Sequence, residues 1–297
     1  MTVRERAHRV IPGDAESHVI IHVPHSSRVI PREVRSHIFL DDAALGRELD
    51  AVTDAFTDVI AEHAAARASV RPWLFINDFS RLVVDPVGAG VVHTRTSDDF
   101  LLREVSDDEI SGGRRRTTPP ARPVRVGWHD VIGGLVVRHL APYAAAFTEL
   151  VTQRVEATGE ATIIDLHSYP LHPPSYGRHG DGPRAEVRFG TDDFYTPHWL
   201  VANAQKAFGH FEVDLHSFAG CYVPLKQYRS EDRVSALMIE LRRDLYMDET
   251  FGLVAPALEP IIFALAGLLD TVEPDDGSWT TNNRSAGPNN DLAQEKM

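Results

Sequence analysis

The stretch ATIIDLHS, residues 161–168, decides how the rest of the chain is read. Ala161–Leu166 is a short, mostly apolar run, which predicts a buried strand, and it ends in the polar pair His167-Ser168. Val19-Ile20-Ile21-His22-Val23, closed by Pro24, repeats the pattern, and Val234–Leu241 (VSALMIEL) reads as a buried central strand that ends in charge. Shorter strands are expected at Val70–Ile76, at Arg81–Val84 before Asp85-Pro86, and at Gly90–His93, Glu186–Phe189 and Phe211–Leu215. Helical spacing lies between them. From Asp41-Asp42 onward, Leu45, Leu49, Val52, Phe56, Ile60 and His63 recur three or four residues apart and form one apolar stripe. Further helices are expected at Trp128–Glu156, bent or broken by Gly133-Gly134 and Pro142, at Pro197–Phe208 and at Met247–Leu269. Strands alternating with helices predict one α/β domain, residues 1–270, around a mostly parallel mixed sheet. Ser111–Pro123 and the Pro-, Gly- and His-rich Pro170–Pro183 read as loops, the second long enough to suggest a function. Thr271–Met297 has no apolar periodicity and is expected to be a disordered tail.

Composition narrows the chemistry. The 297 residues carry 30 Lys and Arg against 43 Asp and Glu, a formal net charge of −13, which repels phosphate backbones and argues against nucleic acid as a partner. With 43% hydrophobic and 25% charged residues, the chain can bury a sizeable core. Cys221 is the only cysteine, so an intrachain disulfide framework and a Cys-based zinc site are excluded. The 15 histidines are then the natural place to look for metal or acid–base chemistry. Met1–Ser17 is polar and reads as no secretory signal. Gly252–Leu269, the most apolar long stretch, is interrupted at Glu259-Pro260 and reads as a core helix rather than a membrane span. Cytoplasmic localisation is the expectation.

In open parallel sheets, sites lie at the carboxyl ends of the strands. Three strand ends carry chemistry here: His25 after Val19–Val23, His167 after Ala161–Leu166, and Glu240 in Val234–Leu241. Two histidines and a carboxylate suit a catalytic metal, which takes three N or O ligands and leaves a position for water. A glutamate that is not a ligand can shuttle the proton. Each residue also has a plainer reading: His25 and His167 as hydrogen-bonded residues beside a strand, and Glu240 as the partner of Arg242 or Arg243. The chain contains no HExxH, Gly-x-Ser-x-Gly, GxGxxG or Walker loop.

Five segments together resemble the N-formylglutamate amidohydrolase family: His22-Val23-Pro24-His25-Ser26-Ser27, Thr53-Asp54 with Thr57-Asp58, Ser80–Asp85, Asp165–Pro170 and Glu240–Met247. The resemblance runs from about His18 to Glu249 and implies the fold of zinc carboxypeptidases. It implies zinc-dependent hydrolysis of an N-acyl amino acid, typically N-formyl-L-glutamate in histidine breakdown. Carried over, His25 and His167 are zinc ligands and Glu240 is the general base. Asp54 is the carboxylate ligand, with Asp58 next and Glu48 as a further choice. The carboxypeptidase-like arrangement has a glutamate three residues after the first histidine; here that position is Arg28, so the acid must come from elsewhere.

Periodicity alone reads Asp54 differently. Asp50, Asp54 and Asp58 are four apart and would share a solvated helix face, unless a helix begins near Asp54. A dicarboxylate substrate needs cations, and Arg81 is the first candidate, followed by Arg242 and then Arg243. Each can instead pair with a nearby acid such as Asp85 or Asp244. The net charge means that any cationic pocket must be concentrated. Asp165 is expected to be structural, and the second DLHS, Asp214–Ser217, to be chance similarity. The alternatives are a zinc hydrolase of another N-acyl amino acid or peptide, or a carboxylate-binding protein that kept the fold without catalysis.

Overall fold

The computed structural model describes residues 7–38, 40–83, 85–87, 92–96, 99–103, 134, 136–171, 184–248 and 252–272. Its centre is the strand anticipated at Ala161, which runs as β6 from Ala161 to Tyr169 and is buried at every position. Around it stand β1 (His8–Ile11), β2 (Val19–Val23), β3 (Trp73–Asn77), β7 (Val187–Thr191), β8 (Val213–Ala219) and β9 (Val234–Arg242). They form one seven-stranded sheet in the order β1-β3-β2-β6-β9-β7-β8. β3, β2, β6 and β9 are mutually parallel, β1 is antiparallel to β3, and β7 is antiparallel to β9 but parallel to β8. The mostly parallel mixed sheet is therefore present. A separate antiparallel hairpin joins β4 (Val92–Thr96) to β5 (Asp99–Arg103).

The helices are α1 (Arg32–Arg35), α2 (Asp42–Val52), α3 (Thr57–Ala65), α4 (Ala141–Thr158), α5 (His198–Ala207) and α6 (Ala255–Val272). Strand residues alternate between the two faces of the sheet. Val19, Ile21, Leu74, Ile76, Ile164, Leu166, Leu237 and Ile239 meet α3, α5 and α6. Ile20, Phe75, Ile163 and Ala236 meet α4 through Tyr143, Phe147 and Val151. α6 is long and apolar enough to cross a membrane by length and composition. Here it packs on α3 and α5 and buries Leu258, Ile261, Leu265 and Leu268.

The structure redraws several expected elements. β1 lies within the segment read only as polar. Arg81–Val83 is a turn rather than a strand. The strand expected at Gly90–His93 is β4, with residues 90–91 outside the described set. Of the helix expected at Trp128–Glu156, residues 128–133 and 135 lie outside the described set; the rest is a π-helical turn at Val136–Leu140 leading into α4, and Pro142 sits in the first turn of α4. The expected final helix starts at Ala255, not Met247, and reaches Val272, so Thr271 is helical; the rest of the predicted tail, 273–297, lies outside the described residues, as do Ser111–Pro123 and 172–183.

The most consequential change concerns the helix expected from Asp41 through His63, which is two helices. Asp41 caps α2, its side chain accepting from the Ala44 N–H. At Thr53 the backbone turns extended, and Phe56 takes φ +65°, a left-handed conformation that a residue with a Cβ adopts only under constraint. Asp54 lies in this break, so it shares no helix face with Asp50 and Asp58.

Phe147 is fully buried, stacked on the ring of His22 at 4.5 Å and tilted against that of Phe75 at 4.8 Å. Phe147→Ala should lower the unfolding free energy by roughly 3–5 kcal/mol, read as a lower urea midpoint at unchanged slope.

Candidate metal centre

Three backbone decisions bring the centre together. Pro24 ends β2, and its carbonyl accepts from the Asn77 side chain at 2.8 Å, which fixes the residue that follows, His25. The break between α2 and α3 presents Asp54, whose N–H donates to the His25 carbonyl at 3.0 Å. The Thr57 hydroxyl and N–H both donate to the Asp54 carbonyl, at 2.7 and 3.3 Å. His167 projects from β6 itself, since the strand continues to Tyr169 rather than stopping at Leu166.

The side chains then converge. His25 Nδ1 and His167 Nδ1 are 3.1 Å apart, and Asp54 Oδ2 lies 3.1 Å from the latter and 3.3 Å from the former. All three residues are buried, with 1%, 4% and 1% of His25, His167 and Asp54 exposed. Among the described residues they are the group that could hold a metal ion.

The far side of each ring faces a carboxylate. His25 Nε2 lies 2.9 Å from Asp85 Oδ1. Asp85 in turn accepts from Arg81, at 2.6 and 3.2 Å, and from the Val87 N–H. His167 Nε2 lies 3.0 Å from Asp165 Oδ1, an ion-pair contact whose angle is poor for a hydrogen bond. Asp165 also takes a bond from His22 Nδ1 at 2.8 Å and from the Tyr222 N–H at 3.1 Å. Burial keeps the His22 ring neutral despite Asp165, so with Nδ1–H donated its Nε2 accepts from the Tyr143 hydroxyl at 2.5 Å. The other oxygen of Asp54 faces Arg243 at 3.3 Å, and Arg243 also reaches Ser168 Oγ and the carbonyls of Asp50 and Ala51.

This arrangement has an electrostatic demand. With the His25 Nε2 proton directed at Asp85, and the His167 Nε2 proton on the Asp165 side, both Nδ1 atoms carry lone pairs that point at each other and at a carboxylate oxygen. A cation must sit among them. Without a metal a proton serves: burial alone would lower the His167 imidazole, but Asp165, Asp54 and Glu240 raise it well above its ordinary value. Burial would likewise raise the Asp54 carboxyl, yet its contacts with His167 and His25 hold it far below the usual carboxylate range.

Glu240 stands on β9 directly opposite His167 on β6, and directly opposite Arg188 on β7. Its Oε2 is buried without a hydrogen-bond partner among the described residues. Burial first, then the negative charges of Asp54 and Asp165, push its carboxyl up to about 7, against the opposing pull of His167 and Arg81.

The remaining candidates fall elsewhere. Asp58 is in the first turn of α3, paired with Arg9 at 3.3 Å, and Glu48 is buried within α2; neither belongs to the three-donor group. Arg28 pairs with Asp50. Arg81 is held by Asp85, and Arg242 by Asp244 at 2.7 Å and by the Arg184 carbonyl. The second DLHS lies in β8, an edge strand separated from β6 by β9 and β7. The sequence reading missed Asp85 as the partner of His25. Asp165, expected to be structural, lies behind His167: the two are two apart in a strand and therefore share a face.

A sequence model of the N-formylglutamate amidohydrolase family matches residues 17–247. Among solved structures, one of an N-formylglutamate amidohydrolase from Ralstonia eutropha JMP134 superposes with a TM-score of 0.64 at 20% identity, covering 89% of this chain and 98% of that one. A gene product of Agrobacterium tumefaciens gives a TM-score of 0.60 at 15% identity, covering 92% and 99%. A search of curated proteins finds no match.

Protons and a divalent cation would compete for this centre, and the surrounding acids raise the His167 imidazole well above its ordinary value, so affinity for the cation should rise with pH through the neutral range. Asp85→Asn and Asp165→Asn should each weaken binding by about 10–100-fold, measured by competition with a chromophoric chelator.

Proposed function

The chain belongs to the N-formylglutamate amidohydrolase family, and from that premise we propose that it is a zinc-dependent amidohydrolase cleaving the N-formyl amide of an acidic amino acid, N-formyl-L-glutamate foremost. The observation that carries this reading is the three-donor group of His25, Asp54 and His167 beside a carboxylate with an unpartnered buried oxygen, Glu240.

Zinc fits the donors. Two imidazole nitrogens and one carboxylate oxygen are a familiar catalytic set, and tetrahedral zinc with bonds of about 2.0–2.1 Å holds its ligands roughly 3.3 Å apart. The donors stand 3.1–3.3 Å apart before any ion is added. Asp85 and Asp165 orient the rings from behind, in the carboxylate–histidine–metal pattern. When bound, zinc supplies Lewis acidity toward the acyl oxygen and makes water more acidic.

The protein's own groups account for the proton's path. Glu240 takes a proton from water as the water oxygen bonds to the formyl carbon. It then passes that proton to the amide nitrogen as the C–N bond breaks. Cleavage gives formic acid and the free amine; the acid's proton, the second from water, passes to the amine or to solvent, so formate and the amino acid leave and Glu240 returns to its starting charge. A carboxyl raised to about 7 suits both halves of this task, since base strength and acid strength are then balanced near neutral pH. Arg81 contributes through Asp85 and His25, and Arg243 through Asp54, so both act as positioning residues.

The test is formate release from N-formyl-L-glutamate together with metal analysis. Removal of the metal by a chelator should abolish turnover and added zinc should restore it; full activity in the metal-free protein would refute the reading. Glu240→Gln should lower kcat by about 10²–10⁴-fold while leaving bound zinc unchanged. Glu240 must be ionised to accept a proton, so kcat/KM should fall on acidification below about 7, and Glu240→Gln should remove that limb from the pH profile.

A further inference from the structure

Three charged side chains stand in one row across the sheet: His167 on β6, Glu240 on β9 and Arg188 on β7, each directly opposite the next. Residues so paired share a face, and neighbouring strands lie about 4.8 Å apart. The row therefore runs from a metal-centre histidine, through the proposed base, to a guanidinium two strands away. We propose that Arg188 determines specificity here by binding the side-chain carboxylate of a dicarboxylic N-acyl amino acid whose amide lies over Glu240. The inference rests on the hydrolase reading above and adds to it the residue that selects the substrate.

Three further arginines near the centre pair with the protein's own acids. Arg81 is held by Asp85, Arg242 by Asp244, and Arg243 by Asp54 with Ser168 and two carbonyls. Arg188 also has an acidic partner and is set apart by its position, opposite Glu240 in the row. Its side chain is 9% exposed, and the carboxylate of Asp214 approaches its Nε at 3.5 Å. Its guanidinium carbon lies 5.1 Å from the centre of the Tyr169 ring, and that of Arg184 lies 5.4 Å from the same centre. Tyr169 is two residues beyond His167 on β6 and hence on the same face. Its hydroxyl donates to the Ala185 carbonyl, which fixes the ring as a floor for both cations.

Two buried guanidiniums near one ring, in a chain with a net charge of −13, concentrate positive charge of the kind that an anionic substrate needs. The distance along the row selects which anion. The α-carboxylate of an N-acyl amino acid is one carbon from the amide nitrogen and stays over β9. The charge at the end of the side chain is the one that reaches β7. The planar fork of arginine suits that carboxylate with two parallel N–H donors.

The experiment compares N-formyl-L-glutamate with N-formyl-L-glutamine, which keeps the α-carboxylate and loses only the distal charge. The zinc-loaded wild-type protein should prefer the glutamate derivative. Arg188→Met should lower kcat/KM for N-formyl-L-glutamate about 10–100-fold, mainly through KM, and change the glutamine derivative by less than about threefold, so that the preference disappears. Arg188→Lys keeps the charge without the fork and should recover part of the loss. Zinc content and near-ultraviolet circular dichroism report folding. If the Met variant does not fold, the wild-type preference and the Lys variant decide alone. Equal losses on both substrates, or no preference in the wild-type protein, would overturn the proposal while leaving the hydrolase reading intact. Wild-type protein that binds zinc and cleaves neither substrate would instead refute the hydrolase reading, and this inference with it.

Discussion

Two imidazole rings turned Nδ1 to Nδ1 across 3.1 Å, with a carboxylate oxygen against both, are the constraint around which the rest is arranged. Such a contact is repulsive without a positive charge at its middle, and burial removes the water that would otherwise screen it. The surrounding layer makes the demand stronger. Asp85 and Asp165 stand behind the rings and favour positive charge in front of them, while Arg81, Arg243, His22 and Tyr222 hold the acids in place. The site is thus a small, buried, negatively biased cluster that favours a positive charge at its middle.

The sheet explains how residues so distant in sequence meet. β2 and β6 are adjacent parallel strands, so His25, just beyond the end of β2, and His167, near the end of β6, come to the same rim. β9 on the other side of β6 adds Glu240 at the matching level. β7 then runs antiparallel to β9, which brings Arg188 beside Glu240 even though β7 enters from the opposite end. The mixed character of the sheet therefore decides which residue of β7 stands beside Glu240: an all-parallel edge would offer the carboxyl end of β7 at this level rather than its beginning.

Much of this could be read from residues alone, for definable reasons. Apolar runs such as Val19–Val23, Ala161–Leu166 and Val234–Leu241 mark strands buried on both faces, and the polar residues beside them mark the rim where the three-donor group gathers. His25, His167 and Glu240 followed from that rule. Asp54 did not: apolar spacing runs through it without interruption, because Phe56 keeps its place in the stripe and packs against the core while its backbone takes the left-handed turn from which the next helix starts. Periodicity records which side chains are buried and is blind to a break that preserves burial. Arg188 left no mark either, since its importance comes from the pairing of β7 with β9, which no local pattern encodes.

The break at Thr53–Phe56 also decides what Asp54 answers to. Its N–H is tied to the His25 carbonyl and its own carbonyl to the start of α3, while the last turn of α2 ends before it. The carboxylate is thus moored to the sheet and to the helix behind it. α2 can fray, lengthen or shorten by a turn at its outer end without shifting the oxygen that faces the two rings, which leaves the solvent side of this protein open to divergence while its chemistry stands still.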